Sequence, residues 1–312
     1  MLERSRLSRR DFLKVAAAAV GGLVLNSCGL KTPSYLIPEG SPQDTPTKPA
    51  IPTLKSTVES TPTPENTAMA TEVPTETPTA TPKIIDRLHL DSAEQKFLVD
   101  HHIKSVDPSR NMFAITCDDF PDSPHQLESI LDSLNGVGHA TFFLIGKNLK
   151  LLADGKYAPY GWTVDHIKRI VEEGHEIGCH TYTHGLTPLT QLKDKDLDLE
   201  FSLWLDAMNE IIPGFSPVFF RAPGGTYDER VLRFGAKHGM QHAFWNLSSG
   251  GMDKATLDRV LTGAKPGGLL LTHLMRPYDI KYMGEIARDL SGRGYNLQTL
   301  SKAVSPSELL TF

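Results

Sequence analysis

Residues 31–83 divide the chain into a part that can fold and a part that cannot. Proline and threonine make up nearly half of this stretch, and Tyr35 is its only aromatic residue. Such a composition buries too little apolar surface to offset the entropy of ordering the backbone, so the segment should stay extended and solvated. Repeats such as Thr61-Pro62-Thr63-Pro64 and Thr77-Pro78-Thr79-Ala80-Thr81-Pro82 favour polyproline-like stiffness. That suits a spacer holding a domain away from a surface, and its hydroxyls offer sites for glycosylation. Folding is confined to the roughly 225 residues that follow, enough for one sizeable core. The expected organisation is a targeting segment over 1–28, a disordered linker over 29–84 and one folded domain over 85–312.

The leader carries its own signals. Ser8-Arg9-Arg10-Asp11-Phe12-Leu13-Lys14 reads as a twin-arginine export signal, followed by an Ala-rich apolar run from Val15 to Leu25. At roughly a dozen residues that run falls short of the about 20 needed to cross a bilayer, so a cleaved signal is expected rather than a permanent span. Leu25-Asn26-Ser27-Cys28 fits a lipoprotein processing site, with Cys28 as the lipidated first residue of the mature protein. The plainer reading makes Cys28 incidental to an ordinary cleavage site. Either way the domain is exported to the cell envelope, anchored to the outer face of the membrane or secreted. The formal net charge of -5 gives no reason to expect nucleic acid or an acidic polymer as partner.

Within the domain, short apolar runs alternate with helical patterns. Met112 to Thr116, Ala140 to Ile145, Val218 to Phe220, Gln241 to Trp245, Leu269 to Leu271 and Asn296 to Thr299 read as strands. Between them, Thr163 opens a helix that stops at Gly174, another runs to Ile212 before Pro213-Gly214, and Asp228 caps a third ending before Gly239. The alternation predicts a parallel sheet with crossover helices, closed or nearly closed as a barrel, with catalytic residues just beyond the carboxyl ends of the strands.

Four segments fall at such ends: Ile115-Thr116-Cys117-Asp118-Asp119, His180-Thr181-Tyr182-Thr183-His184, Arg221-Ala222-Pro223-Gly224-Gly225 and Leu271-Thr272-His273. Two imidazoles four residues apart plus a carboxylate supply three ligands and leave a position open at a divalent ion, which lowers the pKa of bound water to about 7. Taken singly each motif has a duller reading. An Asp pair after a strand is usually a turn or a cap, and paired histidines arise by chance in a chain with 12 of them. Arg221 could pair with a surface acid, and His273 could be a satisfied core histidine. Adjacent carboxylates on one strand do not form the facing pair of a glycosidase. Trp162 and Trp204 read as packing rather than sugar platforms.

In order and spacing these segments resemble the polysaccharide deacetylases of carbohydrate esterase family four, the nodulation-type deacetylase domain. The resemblance runs from about Asn111 to Ala303 and includes Ala140-Thr141-Phe142-Phe143-Leu144-Ile145-Gly146, Glu173-Gly174-His175-Glu176-Ile177-Gly178 and Gly294-Tyr295-Asn296-Leu297-Gln298-Thr299-Leu300-Ser301. It implies a distorted (β/α)7-type barrel. Carried over residue by residue, it makes Asp119, His180 and His184 the metal ligands and Asp118 the general base. Arg221 would orient that base, and His273 would be the acid that protonates the departing group. The implied reaction removes acetyl groups from N-acetylglucosamine-type units of peptidoglycan or a related extracellular polysaccharide. Zn²⁺ is the expected metal, with Co²⁺, Mn²⁺ or Ni²⁺ compatible with the same donors. The expected protein is a monomer.

The chain also departs from the family pattern. Phe120-Pro121 stands where Gly-Pro is usual, which would put an aromatic ring at the mouth of the site. In Trp245-Asn246-Leu247-Ser248-Ser249-Gly250-Gly251-Met252-Asp253, Asn246 and Ser248 occupy places where carboxylates normally support the arginine and the acid histidine. Asp253 could replace that charge if the loop shifts; a carboxylate from Asp253 reaching Arg221 would favour an enzyme, and its absence a carbohydrate-binding module. An O-acetyl esterase of the xylan type would use the same site chemistry. Cys117 and Cys179 invite a disulfide, but twin-arginine export moves proteins already folded in a reducing compartment, so two buried free thiols are expected.

Overall fold

Met112–Asp119 forms β1, and all eight of its residues are buried. A strand covered on both faces belongs at the centre of a sheet flanked by helices. The structure, a computed structural model, describes residues 90–310. The expected export signal, lipid anchor at Cys28 and linker over 29–84 lie outside the described residues. No described helix is long and apolar enough to cross a membrane.

The remaining strands are β2 (Ala140–Leu144), β3 (Glu176–Cys179), β4 (Phe219–Phe220), β5 (Gln241–His242), β6 (Leu247–Ser248), β7 (Gly268–His273) and β8 (Asn296–Leu297). Their order is β5-β4-β3-β2-β1-β7-β6, with β8 also paired to the start of β1, and every pairing is parallel. β5 and β6 are consecutive in sequence yet lie at opposite edges. The sheet is therefore curled but open, the distorted (β/α)7-type barrel rather than a closed ring.

Crossover helices cover the sheet and have local reasons to start where they do. Asp91 caps Ser92–Asp100 in a reciprocal box with Glu94, Ser123 caps Pro124–Leu134, and Asp228 caps Glu229–Lys237 by accepting from Val231 N at 2.8 Å. The helix Asp194–Ile211 lays Leu197, Phe201, Trp204 and Met208 against the sheet. Trp204 is fully buried and donates its Nε1 to Leu144 O at 2.6 Å, which fits the packing role expected of it.

Several strand expectations need correction: Leu247–Ser248 is a further strand, and the one predicted over 296–299 ends at Leu297. Glu176–Cys179, absent from the predicted strands, is a strand, because Ile177 packs under a backbone that Gly178 allows close to Phe143. A Cβ at Gly178 would sit 2.5 Å from the Phe143 ring. The strand predicted over 241–245 ends at His242, after which Ala243 bridges to Ile103 instead. Cys117 and Cys179 are buried free thiols, as expected. β2 lies between their strands, so their Cα atoms are held about two strand spacings apart, beyond disulfide reach. Burial pushes the Cys117 thiol up to about 12 and the Cys179 thiol up as well, so neither is a nucleophile at neutral pH.

Candidate active site

Register alone gathers the predicted residues. Asp118 on β1 is level with His273 on β7, and Cys179 on β3 is level with Phe220 on β4, so His180 and Arg221 leave neighbouring strands side by side. All six candidate residues thus meet at the carboxyl ends of the strands.

Asp119, His180 and His184 place one ligand atom each within 4.8 Å of one another. His180 Nδ1 lies 2.9 Å from Arg221 O. A carbonyl can only accept, so Nδ1 carries the proton and the Nε2 lone pair is left facing Asp118 and Asp119, 3.6 Å from a carboxylate oxygen of each. His184 Nε2 lies 3.3 Å from Asp119 Oδ1. Burial holds His180 neutral, down to about 3, and pushes the buried carboxyls of Asp118 and Asp119 up. Two carboxylates, one guanidinium and neutral imidazoles leave one uncompensated negative charge in a buried place. That donor set fits a divalent ion, and an imidazole pair with one carboxylate suits Zn²⁺ among others.

The backbone is bent to make this cluster. Among the described residues, Asn111, Asp119, Thr181 and His184 are the non-glycine residues at positive φ, with values of 52°, 80°, 62° and 48°. Asp119, Thr181 and His184 are two of the candidate ligands and the residue that follows the third. Non-glycine residues in this region cost about 1–3 kcal/mol each and persist where surrounding structure imposes them. Glu200 supplies that imposition: its carboxylate is buried and accepts from Thr183 N at 2.8 Å and from Thr183 Oγ1 at 2.5 Å, pinning the turn between the two histidines.

Arg221 is fully buried and every side of its guanidinium is used. Nη1 donates to Asp118 Oδ1 at 2.7 Å and to Thr116 Oγ1 at 2.6 Å, Nε to Ala243 O at 3.1 Å, and Nη2 to Phe244 O at 2.8 Å. Its plane lies over the Phe143 ring, 4.2 Å from the centroid. Asp118 is thereby fixed with Oδ1 on the arginine and Oδ2 turned toward the metal cluster.

The support loop behaves differently from expectation. Asp253 does not reach Arg221; it is exposed and pairs with Arg259 at 3.2 Å. A missing Asp253–Arg221 contact was expected to favour a binding module; Arg221 instead keeps only the Asp118 carboxylate already expected of it, and His273 finds a carboxylate outside the loop. That carboxylate is Asp279: it is 1% exposed, accepts the His273 backbone N–H at 2.9 Å, and brings Oδ2 to 3.9 Å from His273 Nδ1. Gly251, at a φ of 61°, lets the loop pass against that carboxylate, since a Cβ there would collide with Asp279 Oδ2. Burial lowers His273 to about 4 and pushes the Asp279 carboxyl up.

Asp279 and Glu200 escaped the sequence reading for physical reasons. Asp279 sits in the first turn of Pro277–Gly292, where an acid is ordinarily explained by the helix dipole. Glu200 sits mid-helix, where it passes for a solvated residue; its spacing of three from Leu197 on the apolar face was the available signal. Phe120 also differs from expectation. It is 5% exposed and packs on Trp162, with centroids 5.0 Å apart, so it backs the wall beside the site rather than standing at its mouth.

A parallel curled sheet carrying an Asp-His-His cluster, an arginine-held aspartate and a histidine at its strand ends offers the donors a metal hydrolase would need. Comparison with known proteins gives the family. A polysaccharide deacetylase profile matches residues 105–243. The chitooligosaccharide deacetylase of Sinorhizobium fredii is 31% identical over 199 residues, covering 61% of this chain and 82% of that protein. The peptidoglycan-N-acetylmuramic acid deacetylase PdaC of Bacillus subtilis is 33% identical over 205 residues, covering 64% of this chain but 40% of that longer protein. The solved structure of PdaC superposes with a TM-score of 0.53 at 32% identity, over 64% of this chain and 92% of that one. The chain belongs to the polysaccharide deacetylase family, a family of hydrolases.

Proposed function

We propose that this chain hydrolyses acetamide groups on N-acetylglucosamine-type units of a cell-wall or extracellular polysaccharide, releasing acetate. The observation that carries this reading is the pairing of a three-donor metal cluster with an Asp118 held by Arg221 on one side and a His273 on the other. Support also comes from relatives that include peptidoglycan and chitooligosaccharide deacetylases.

Asp119, His180 and His184 would hold the divalent ion, which when bound would supply polarisation of the acetyl carbonyl and acidification of a water molecule. Asp118 takes the proton from the attacking water through Oδ2, while Arg221 keeps Oδ1 occupied and the carboxylate aimed. Oxygen bonds to the acetyl carbon, the carbon–nitrogen bond breaks, and His273 delivers a proton to the departing nitrogen. The products are acetate and a free amine on the sugar. Asp279 is the positioning partner of His273, fixing its backbone and facing its Nδ1, and with the Asp118 charge it opposes the burial that lowers the ring.

Location supports the substrate class. The export signal, the anchor at Cys28 and the linker over 29–84 would present a monomeric domain to glycan outside the membrane. The test is acetate release from N-acetylglucosamine oligomers and from peptidoglycan, metal-loaded and chelated, with Asp118→Asn as the blank. Release that chelator abolishes and Zn²⁺ restores is the expected result. Stoichiometric metal without release from N-acetyl substrates overturns the reading, and release from O-acetyl xylan alone would make the chain an esterase.

A further inference from the structure

Three buried polar atoms behind the acid histidine lack a hydrogen-bond partner: His273 Nδ1, Asp279 Oδ1 and Ser249 Oγ. Buried donors and acceptors are almost always paired, by protein or by ordered water. These three share one place. Asp279 Oδ2 accepts the His273 backbone N–H at 2.9 Å, yet it lies 3.9 Å from His273 Nδ1, too far for a direct bond to the ring. Burial pushes the Asp279 carboxyl up, and the Ser249 hydroxyl beside it opposes that rise without closing a bond to Oδ1. Ser249 is held there by its backbone. It is fully buried, its N–H donates to Leu271 O at 3.0 Å, two residues before His273 on β7, and its carbonyl accepts from Arg259 Nη1. Gly250 and Gly251 follow at φ values of 76° and 61°, and a side chain on either would collide, with the Arg259 guanidinium and the Asp279 carboxylate respectively. The loop is thus bent closely around that carboxylate.

We infer that one ordered water joins these three atoms, and that Ser249 is a positioning residue of His273 that keeps a proton on its Nδ1. The inference rests on the deacetylase reading for the role of His273 as the acid. Asp279 carries the charge, so the Ser249 hydroxyl and the water each turn a hydrogen toward its carboxylate, which can only accept. The second hydrogen of the water goes to Ser249 Oγ, and its lone pair is left for the ring. Nδ1 must then be the donor. Three polar partners are what a buried water ordinarily has, and a contact longer than a hydrogen bond is where one is expected. With Nδ1–H committed to the water, Nε2 is the atom that gives a proton to the departing nitrogen and regains one afterwards. Only that Nε2 proton is transferred; those of the water, Ser249 and Nδ1 stay where they are. Asp279 supplies the charge from its helix, and the divergent loop supplies a hydroxyl.

The experiment uses the full chain loaded with Zn²⁺. The His273 tautomer is read without substrate by ¹⁵N NMR of the imidazoles above neutral pH, with His273→Gln for assignment, and kcat and KM for acetate release are measured across pH on N-acetylglucosamine oligomers. The expected spectrum has the proton on Nδ1. Ser249→Ala moves a measurable share of the ring to the Nε2–H form, lowers kcat by about five- to tenfold with KM unchanged, and moves the limb of the kcat profile assigned to His273 to lower pH. Ser249→Thr, which keeps the hydroxyl, restores the Nδ1–H form. A proton on Nε2 in the unsubstituted chain overturns the inference, whether or not Ser249→Ala folds. Ser249→Ala with tautomer and kcat unchanged also overturns it, since Asp279 would then hold the ring unaided. A tautomer that shifts with Ser249→Ala in a chain releasing no acetate from any substrate supports the water-linked contact and overturns the deacetylase reading alone.

Discussion

The two ends of the same parallel sheet both bury polar groups, and they do so in opposite ways. At the amino end, Glu176 accepts from Thr141 Oγ1 at 3.0 Å, from Ser301 N at 3.1 Å and from Ser301 Oγ, while Thr141 Oγ1 accepts from Leu300 N at 2.8 Å. Nearby, His175 Nδ1 accepts from Ala140 N at 3.0 Å. These groups satisfy one another with ordinary backbone. At the carboxyl end, Asp119, Thr181 and His184 are held at positive φ, and the His180 and Asp119 donors face a common point instead of a protein partner. Closed polar networks fix a fold, whereas donors left converging under backbone strain mark a site for something the chain does not itself contain.

Substitutions should separate the two ends. The largest effect is expected from Asp118→Asn, which keeps an acceptor for Arg221 but removes the base: acetate release falls by about 10³-fold. Retention of more than a tenth of the rate would remove Asp118 from the mechanism. His184→Gly takes away a ligand and a strained backbone together, so metal affinity should fall at least about 10²-fold while the melting temperature of the metal-free protein holds or rises. Glu176→Ala is its mirror image. It strands Thr141 and Ser301 and should cost about 2–3 kcal/mol in denaturant unfolding, with kcat/KM unchanged. Were Glu176→Ala to lose activity at full stability, the division between the ends would be wrong.

Asp279→Asn probes the boundary between site and scaffold. It retains an acceptor for the His273 N–H but loses the charge near Nδ1, and about 10- to 100-fold in kcat is expected. The limb of the kcat profile assigned to His273 should also move to lower pH, a shift that a purely structural role for Asp279 would not produce.

This contrast also explains what could be read in advance. The convergence of Asp119, His180 and His184 was legible because these residues come from two short contiguous segments, and the strand predicted over Met112 to Thr116 needed only to continue to reach Asp118 and Asp119. β1 does continue to Asp119. The support for His273 was not legible, because it comes from Asp279 in a following helix rather than from the loop over 245–253 where it was sought. A carboxylate in the first turn of a helix looks the same in sequence whether it faces water or folds back under a histidine. Glu176–Cys179 failed for another reason: its pattern has a single aliphatic residue, and its place in the sheet is set by Gly178 against Phe143, a contact between strands.

His175 gives the smallest effect and a clean sign. It is 7% exposed, and burial first, then the neighbouring His139, lowers it from 6.5 to about 4. Between those values the unfolded chain binds a proton that the folded chain refuses, so the contribution is complete above about pH 6.5 and is lost as pH falls toward 4. Between about pH 7.5 and 5.5 the loss is about 1 kcal/mol. His175→Gln can still accept from Ala140 N through its amide oxygen but cannot titrate. Denaturant unfolding across that interval should therefore show a shallower pH slope for the variant, by the same amount with metal present or chelated. Equal slopes in the two proteins would mean that His175 is protonated in the fold, and the amino end would then hold a charge that its closed hydrogen-bond network is not built to carry. A slope difference that appears only without metal would place His175 in communication with the carboxyl end, and the two ends would no longer be separable.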